Sequence, residues 1–207
     1  MAFPSVGTVL DPFTRADNAS IGAAWTTIVF GANPRIVSNT VAPLGTGAYS
    51  GAYWNAGVLG PDFDCFIDIT TMVAGTYASV FGRWTVGGAG YVVQANATTI
   101  AIREFAGGSG TDLASAAATF ASGDKVGIRM VGTNISAYKY TAGAWNQTPL
   151  LTASDATISA AGFLGWYSGD SAAGGTRLDN FGGGVYVPDV AATAGKFGGP
   201  QLRGFRY

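Results

Sequence analysis

The sequence predicts an all-β domain built from two packed antiparallel sheets, on three observations. Glycine supplies 32 of the 207 residues and clusters at Gly87-Gly88, Gly107-Gly108, Gly174-Gly175 and Gly182-Gly183-Gly184, which cuts the chain into segments too short for helices. Between the cuts, apolar residues recur with a period of two, the signature of a half-buried strand. The segments number about a dozen at the spacing of all-β domains, and such a set buries its apolar faces as a sandwich or jelly roll.

In chain order, strands are expected near 25–30, 35–41 and 48–58, then through Phe63, Cys65, Ile67 and Ile69, which alternate with Asp64, Phe66, Asp68 and Thr70. The lone Cys65 sits on the apolar side and reads as a small buried hydrophobe. Segments 77–86, 90–96 and 99–105 form a meander, with turns at Gly87-Gly88-Ala89-Gly90 and Ala97-Thr98. Leu113 to Ala121 is Ala-rich, short and followed by Gly123, and is read as strand or loop. Val126, Ile128 and Met130 alternate with Lys125, Gly127 and Arg129, and further strands are expected near 134–141, 145–152, 161–168 and 176–187. The absence of a fixed-period repeat disfavours a propeller or solenoid.

The most specific patterns lie at the two ends of this region. They are Asp11-Pro-Phe-Thr-Arg-Ala-Asp-Asn-Ala-Ser-Ile-Gly-Ala-Ala-Trp25 and Arg177-Leu-Asp-Asn-Phe-Gly182. They resemble the opening D-x-F-x-R-x-x-x-x-x-(L/I)-G-x-x-W and closing (I/L)-D-N-F segments of concanavalin A-like (laminin-G-type) jelly rolls, which occur in bacterial secreted proteins and bacteriophage virion proteins. The resemblance covers residues 11 to about 184, with the middle matching in strand rhythm alone. It implies that the first and last strands lie side by side, that Phe13 and Trp25 pack near Leu178 and Phe181, and that Arg15 pairs with Asp17 or Asp179.

Composition narrows the chemistry. With 12 acids against 11 bases the net charge is −1, so no broad field exists to attract nucleic acid or an anionic membrane, and neither is expected as a partner. The chain contains no His, which excludes His-based triads and His-ligated metals. Met1 to Leu10 carries no positive charge and no long apolar run, so synthesis in a host cytoplasm without a signal peptide is expected.

Related jelly rolls include glycoside hydrolases, which need two carboxylates at a set separation. Their Glu-x-Asp-x-(x)-Glu strand is absent, and Glu104, the one Glu, falls on the apolar side of its strand. Asp64 and Asp68 share one strand face around Phe66 and read as solvated acids. No catalytic residues are assigned and the chain is read as a non-enzyme without cofactor. The fold family often carries structural calcium bridging its terminal strands, which makes Asp11 and Asp179 the metal candidates; both are equally explained as turn and strand-end residues.

The meander offers a binding face. Trp84, Val86, Tyr91, Val93, Ile100 and Ile102 fall on one side as core, and Arg83, Thr85, Gln94, Asn96, Thr99 and Arg103 on the other, with Phe81 and Phe105. In a lectin-like jelly roll that polar row lines the groove for sugar hydroxyls, with Tyr53, Trp54 and Trp145 as aromatic platforms nearby. The alternative is an ordinary wet sheet face.

The organisation expected is an N-terminal arm over 1–10, a jelly-roll domain over 11–184 and an extended C-terminal tail over 185–207. The tail carries Phe197, Leu202, Phe205 and Tyr207, which read as assembly anchors. Low charge and aromatic-bearing ends suit a subunit of a symmetric assembly. With the resemblance, the leading expectation is a structural protein of a bacteriophage virion, a capsid decoration or head-fibre protein or a minor tail protein, localised to the virion. Its partners would be virion subunits and further copies of itself, docked through the arms. The alternative is a lectin-like module holding cell-surface glycan, and the third reading is a glycoside hydrolase-like enzyme.

Overall fold

A computed structural model of the chain describes residues 2–28, 33–43, 49–169 and 175–188. The strands are β1 (Val9–Asp11), β2 (Trp25–Thr27), β3 (Pro34–Val37), β4 (Thr40–Pro43), β5 (Tyr49–Trp54), β6 (Phe63–Thr71), β7 (Ala78–Trp84) and β8 (Gly90–Ala95). They continue as β9 (Thr99–Ala106), β10 (Ser109–Ala117), β11 (Lys125–Val131), β12 (Asn134–Thr141), β13 (Ala144–Trp145), β14 (Leu151–Ser154), β15 (Phe163–Gly169) and β16 (Arg177–Val185). Every ladder between them is antiparallel. A nine-stranded sheet runs β13-β12-β11-β6-β16-β4-β3, with β1 on β16 and β14 on β12; a seven-stranded sheet runs β10-β9-β8-β7-β15-β5-β2. The expected two-sheet antiparallel sandwich is the architecture observed, with no helix among the described residues.

The core lies between the sheets and follows the two-residue period. Phe63, Cys65, Ile67 and Ile69 of β6 and Val126, Ile128 and Met130 of β11 meet Val80, Tyr91, Val93, Ile100, Ile102 and Trp166 of the other sheet. Each such side chain contributes about 1.5–3 kcal/mol by leaving water. The Ala-rich stretch resolves as strand through Ala117, because the hairpin turn at Gly107-Gly108, both at positive φ, lays it along β9 and cross-strand pairing overrides alanine's helical propensity.

One carboxylate ties the two sheets together. Asp11 is buried at the end of β1, and its Oδ1 accepts from the Phe13 N–H (2.7 Å) and Arg15 Nη1 (2.8 Å). Its Oδ2 accepts from Arg15 Nη2 (2.9 Å) and from Trp25 Nε1 (2.7 Å) on β2 of the opposite sheet. Burial pushes the Asp11 carboxyl up, but the donors from Arg15, Trp25 and Phe13 together outweigh it and hold the group below the ordinary carboxylate range. Phe13, at φ 48°, turns its ring into the core 5.6 Å from Trp25, which meets Phe181 at 5.0 Å, and β1 pairs with β16. Arg15 therefore pairs with Asp11 rather than Asp17 or Asp179: Asp17 accepts the Ser38 N–H, and Asp179 the Asn180 N–H.

The N-terminal segment departs from the expected arm by lying on its own domain. Phe3 is buried on the outer face of the nine-stranded sheet, stacked on Tyr138 at 4.0 Å and edge-on to Trp145 at 4.8 Å. Its seat exists because Gly127 has no side chain: a Cβ there would stand 2.4 Å from the Phe3 ring. Gln147 holds the Phe3 backbone at both N–H and C=O, Arg129 donates to the Ala2 carbonyl, and the Ser5 N–H donates to Asp64. Past Gly184 the chain stays on the domain for a few residues, with the Tyr186 N–H on the Asp62 carbonyl and the Val187 N–H on Ser5. The expected anchors Phe197, Leu202, Phe205 and Tyr207 lie outside the described residues.

Asp11→Asn should lower stability by roughly 2 kcal/mol at neutral pH, read from urea midpoints, by removing the charge from hydrogen bonds that depend on it. Because the folded-state pKa is depressed, the contribution is complete above the unfolded value and is lost as pH falls through the folded one. The gap between wild type and variant should hold above about pH 5, begin to narrow below about pH 4 and close once the pH has fallen through the folded-state value.

Candidate functional site

The outer face of the seven-stranded sheet is not the face that simple alternation draws. Arg83 adopts φ 49°, opposite a register shift in β15 between Phe163 and Gly165. This bulge reverses the two side chains at the end of β7. Trp84 turns outward to pack on Phe81 and Phe105, and Arg83 turns inward until it is 1% exposed. There Arg83 donates to the carbonyls of Pro61 (2.9 Å), Ile158 (3.0 Å) and Gly132 (2.6 Å), which leaves it an internal brace instead of a ligand on the polar row. Burial pulls its guanidinium below the ordinary arginine value, against the opposing influence of Asp62 and Tyr91.

Gln94, Asn96, Thr99 and Arg103 do meet on the outer face, around a cavity of about 210 Å³ completed by Tyr77, Ala101 and Asp112. Arg103 is held on three sides: Nε donates to Asp112 Oδ1 (2.6 Å), Nη1 to Gln94 Oε1 (3.0 Å) and Nη2 to the Gly110 carbonyl (3.0 Å). Gly110 permits this, since a Cβ there would stand 2.8 Å from the Phe105 ring and 3.1 Å from Arg103 Cζ. The guanidinium lies over Phe105 at 5.5 Å, and the Tyr167 hydroxyl donates to the same Gln94 oxygen (2.8 Å). Burial, ahead of any neighbour, pushes the Tyr167 phenol well up, so this hydroxyl stays a donor at neutral pH. Asp112 is 55% exposed at its side chain, and its Oδ2 accepts no hydrogen bond from the described residues.

A second cavity of about 240 Å³ adjoins the first, sharing Arg103 and lined by Tyr49, Phe105, Gly108, Gly110 and Tyr167. Tyr49 is 49% exposed and stacks on Tyr77 at 6.3 Å, so an aromatic wall runs beside both cavities. The site therefore combines a fixed cation, an open carboxylate oxygen, amides and accessible aromatic rings. It can present donors and acceptors to hydroxyl groups and a π face to a C–H surface.

Tyr49, Tyr77, Tyr167 and Asp112 were not legible as site residues. Tyr49 and Tyr167 arrive on β5 and β15, brought beside β7 by ladders joining distant parts of the chain. Asp112 had a signal: counting outward from the Gly107-Gly108 turn sets it opposite Arg103.

The remaining sequence candidates lie elsewhere. Tyr53 is on this face but buried against Phe163, while Trp54 points the other way and meets Trp25 edge-on at 5.2 Å. Trp145 belongs to the opposite sheet, against Phe3 and Phe66. Asp64 is fully buried, not solvated, because Arg129 clamps both its oxygens at 2.7 Å, and Asp68 pairs with Lys125 at 2.8 Å. Both oxygens of Asp11 already serve Arg15, Trp25 and Phe13. Among the described residues no three acidic or thiol side chains converge as metal ligands.

No protein-family model matches the chain, and no curated protein matches it. Solved structures do. The carbohydrate-binding module CBM66 from Bacillus subtilis matches with TM-score 0.60 and 16% identity, over 78% of this chain and 96% of that one. The exoplasmic/lumenal domain of VIP36, in a form bound to Ca²⁺ and Man3GlcNAc, matches with TM-score 0.65 and 10% identity, over 89% and 90%. A legume lectin-like domain from Entamoeba histolytica matches with TM-score 0.53 and 13% identity, over 79% and 91%. At these identities the likeness shows the fold: a concanavalin A-like jelly-roll sandwich.

Two outcomes follow from the placement of these residues. Arg83→Ala should cost about 3 kcal/mol or more in urea unfolding, since three carbonyls lose one buried partner. The melting temperature should be the same in chelator and in millimolar calcium; a rise with calcium would restore a metal role to Asp179.

Proposed function

We propose that the chain is a non-catalytic carbohydrate-binding module that holds glycan on the outer face of its seven-stranded sheet. The observation that carries this reading is the Arg103 array: a cation fixed by Asp112, Gln94 and Gly110, beside the accessible rings of Tyr49 and Tyr77. Its polar groups are positioned before any ligand arrives, which lowers the ordering cost of binding. The sugar-binding character of the CBM66 and VIP36 neighbours supports the reading from the side of the fold.

Catalysis is not part of the proposal. Glycoside hydrolysis takes a pair of carboxylates roughly 5–9.5 Å apart. Among the described residues lining the two cavities Asp112 is the one acid, and it is engaged by Arg103. The virion role implied by the resemblance draws on anchors outside the described residues and on an N-terminal segment that lies on its own domain.

A glycan array probed with the full chain should give binding that Arg103→Ala weakens by about tenfold or more, with the circular dichroism spectrum unchanged. A folded wild-type chain that binds nothing on the array would overturn the proposal.

A further inference from the structure

Resting on the carbohydrate reading, we propose that the ligand is an uncharged glycan of at least two sugar units, laid along β9 so that consecutive units sit on either side of Arg103. The two cavities follow one another along this strand. Thr99, Ala101 and Arg103 line the first, and Arg103 and Phe105 the second, with Gly108 of the following turn. Alternate residues of a strand share a face, and the six steps from Thr99 to Phe105 cover about 20 Å at 3.3 Å each. That length exceeds one sugar ring and suits a short chain.

The two cavities differ in chemistry in the way that two sugar contacts differ. The first is polar: Gln94, Asn96, Thr99 and Asp112 offer amides, a hydroxyl and an open carboxylate oxygen to the hydroxyl rim of one unit. The second has the buried Phe105 and Tyr167 as its base and the exposed Tyr49 at its side, and the electron-rich face of Tyr49 suits the C–H surface of the next unit. Tyr49 and Tyr77 stack across the boundary, so nothing in the aromatic wall separates the two positions.

Charge decides the class of sugar. Arg103 is the one cation among the described residues lining either cavity, and Asp112 neutralises it at 2.6 Å through Oδ1, while Oδ2 accepts no hydrogen bond from the described residues. A uronate or sulfate would meet that oxygen's repulsion with no surplus positive charge to offset it. A neutral hydroxyl would instead donate to it.

The test is an array and calorimetric titration of the full chain. The probes are gluco-, manno-, galacto-, xylo- and fructo-oligosaccharides of one to six units, with oligogalacturonides of matching length. The best neutral series should gain about tenfold or more in affinity from one unit to two, and the galacturonides should bind about tenfold or more weaker than the galacto series. Tyr49→Ala, at an exposed position, should remove most of the gain from the second unit while the circular dichroism spectrum stays that of the wild type. Equal affinity for one unit and two, tighter binding of the galacturonides, or an unaltered Tyr49→Ala variant would each overturn this inference while leaving the carbohydrate reading intact. Silence toward every probe would overturn both.

Discussion

The sandwich depends on a carboxylate that it cannot leave unpaired. Asp11 is buried where the two sheets meet, and a charge in that position is tolerated because Arg15, Trp25 and the Phe13 amide supply donors to both oxygens. Those donors come from β2 of the opposite sheet and from the connection that leads to it, so satisfying one side chain sets the path of the chain from β1 into β2. The aromatic cluster of Phe13, Trp25, Trp166 and Phe181 then closes over the joint. Polar necessity fixes the geometry, and apolar burial supplies most of the free energy.

The outer faces of the two sheets have been put to different uses. On the nine-stranded sheet the N-terminal segment crosses the face and seals it, with Phe3 in its aromatic seat and the Arg129 guanidinium among the rings of Phe3, Tyr138 and Tyr186. On the seven-stranded sheet the buried rings of Phe81, Trp84 and Phe105 support a region where Arg103, Asp112 and Tyr49 remain accessible. The bulge at Arg83 serves this arrangement, since it sends Trp84 outward to pack beside Phe105, on which the Arg103 guanidinium rests.

Local pattern made the fold class legible. The alternation through Phe63, Cys65, Ile67 and Ile69 named the core side of β6, and the resemblance carried by the strings from Asp11 to Trp25 and from Arg177 to Gly182 implied the side-by-side terminal strands that β1 and β16 form. Half of the site was legible for the same reason, because Gln94 and Arg103 sit on adjacent strands and Asn96 in the short turn that joins them. What escaped was whatever depended on contacts between distant segments. Tyr49 and Tyr167 need the β5-β15-β7 order, and Asp64 looks solvent-facing until Arg129 and the Ser5 amide are brought against it. Arg83 escaped for a different reason: a single positive φ inverts the two-residue period, and no residue type announces a bulge at an arginine.

The position of β16 bears on how the domain is made. It is the sixteenth strand in sequence yet lies between β6 and β4, with β1 also hydrogen-bonded to it. During synthesis β6 therefore waits with an unpaired edge while more than a hundred residues follow, and β1, β3 and β4 cannot join their sheet until β16 emerges. Closure by pairings so distant in sequence carries a large loop-entropy cost before any contact rewards it, which places the domain among slow folders and leaves its half-built form open to edge-to-edge association.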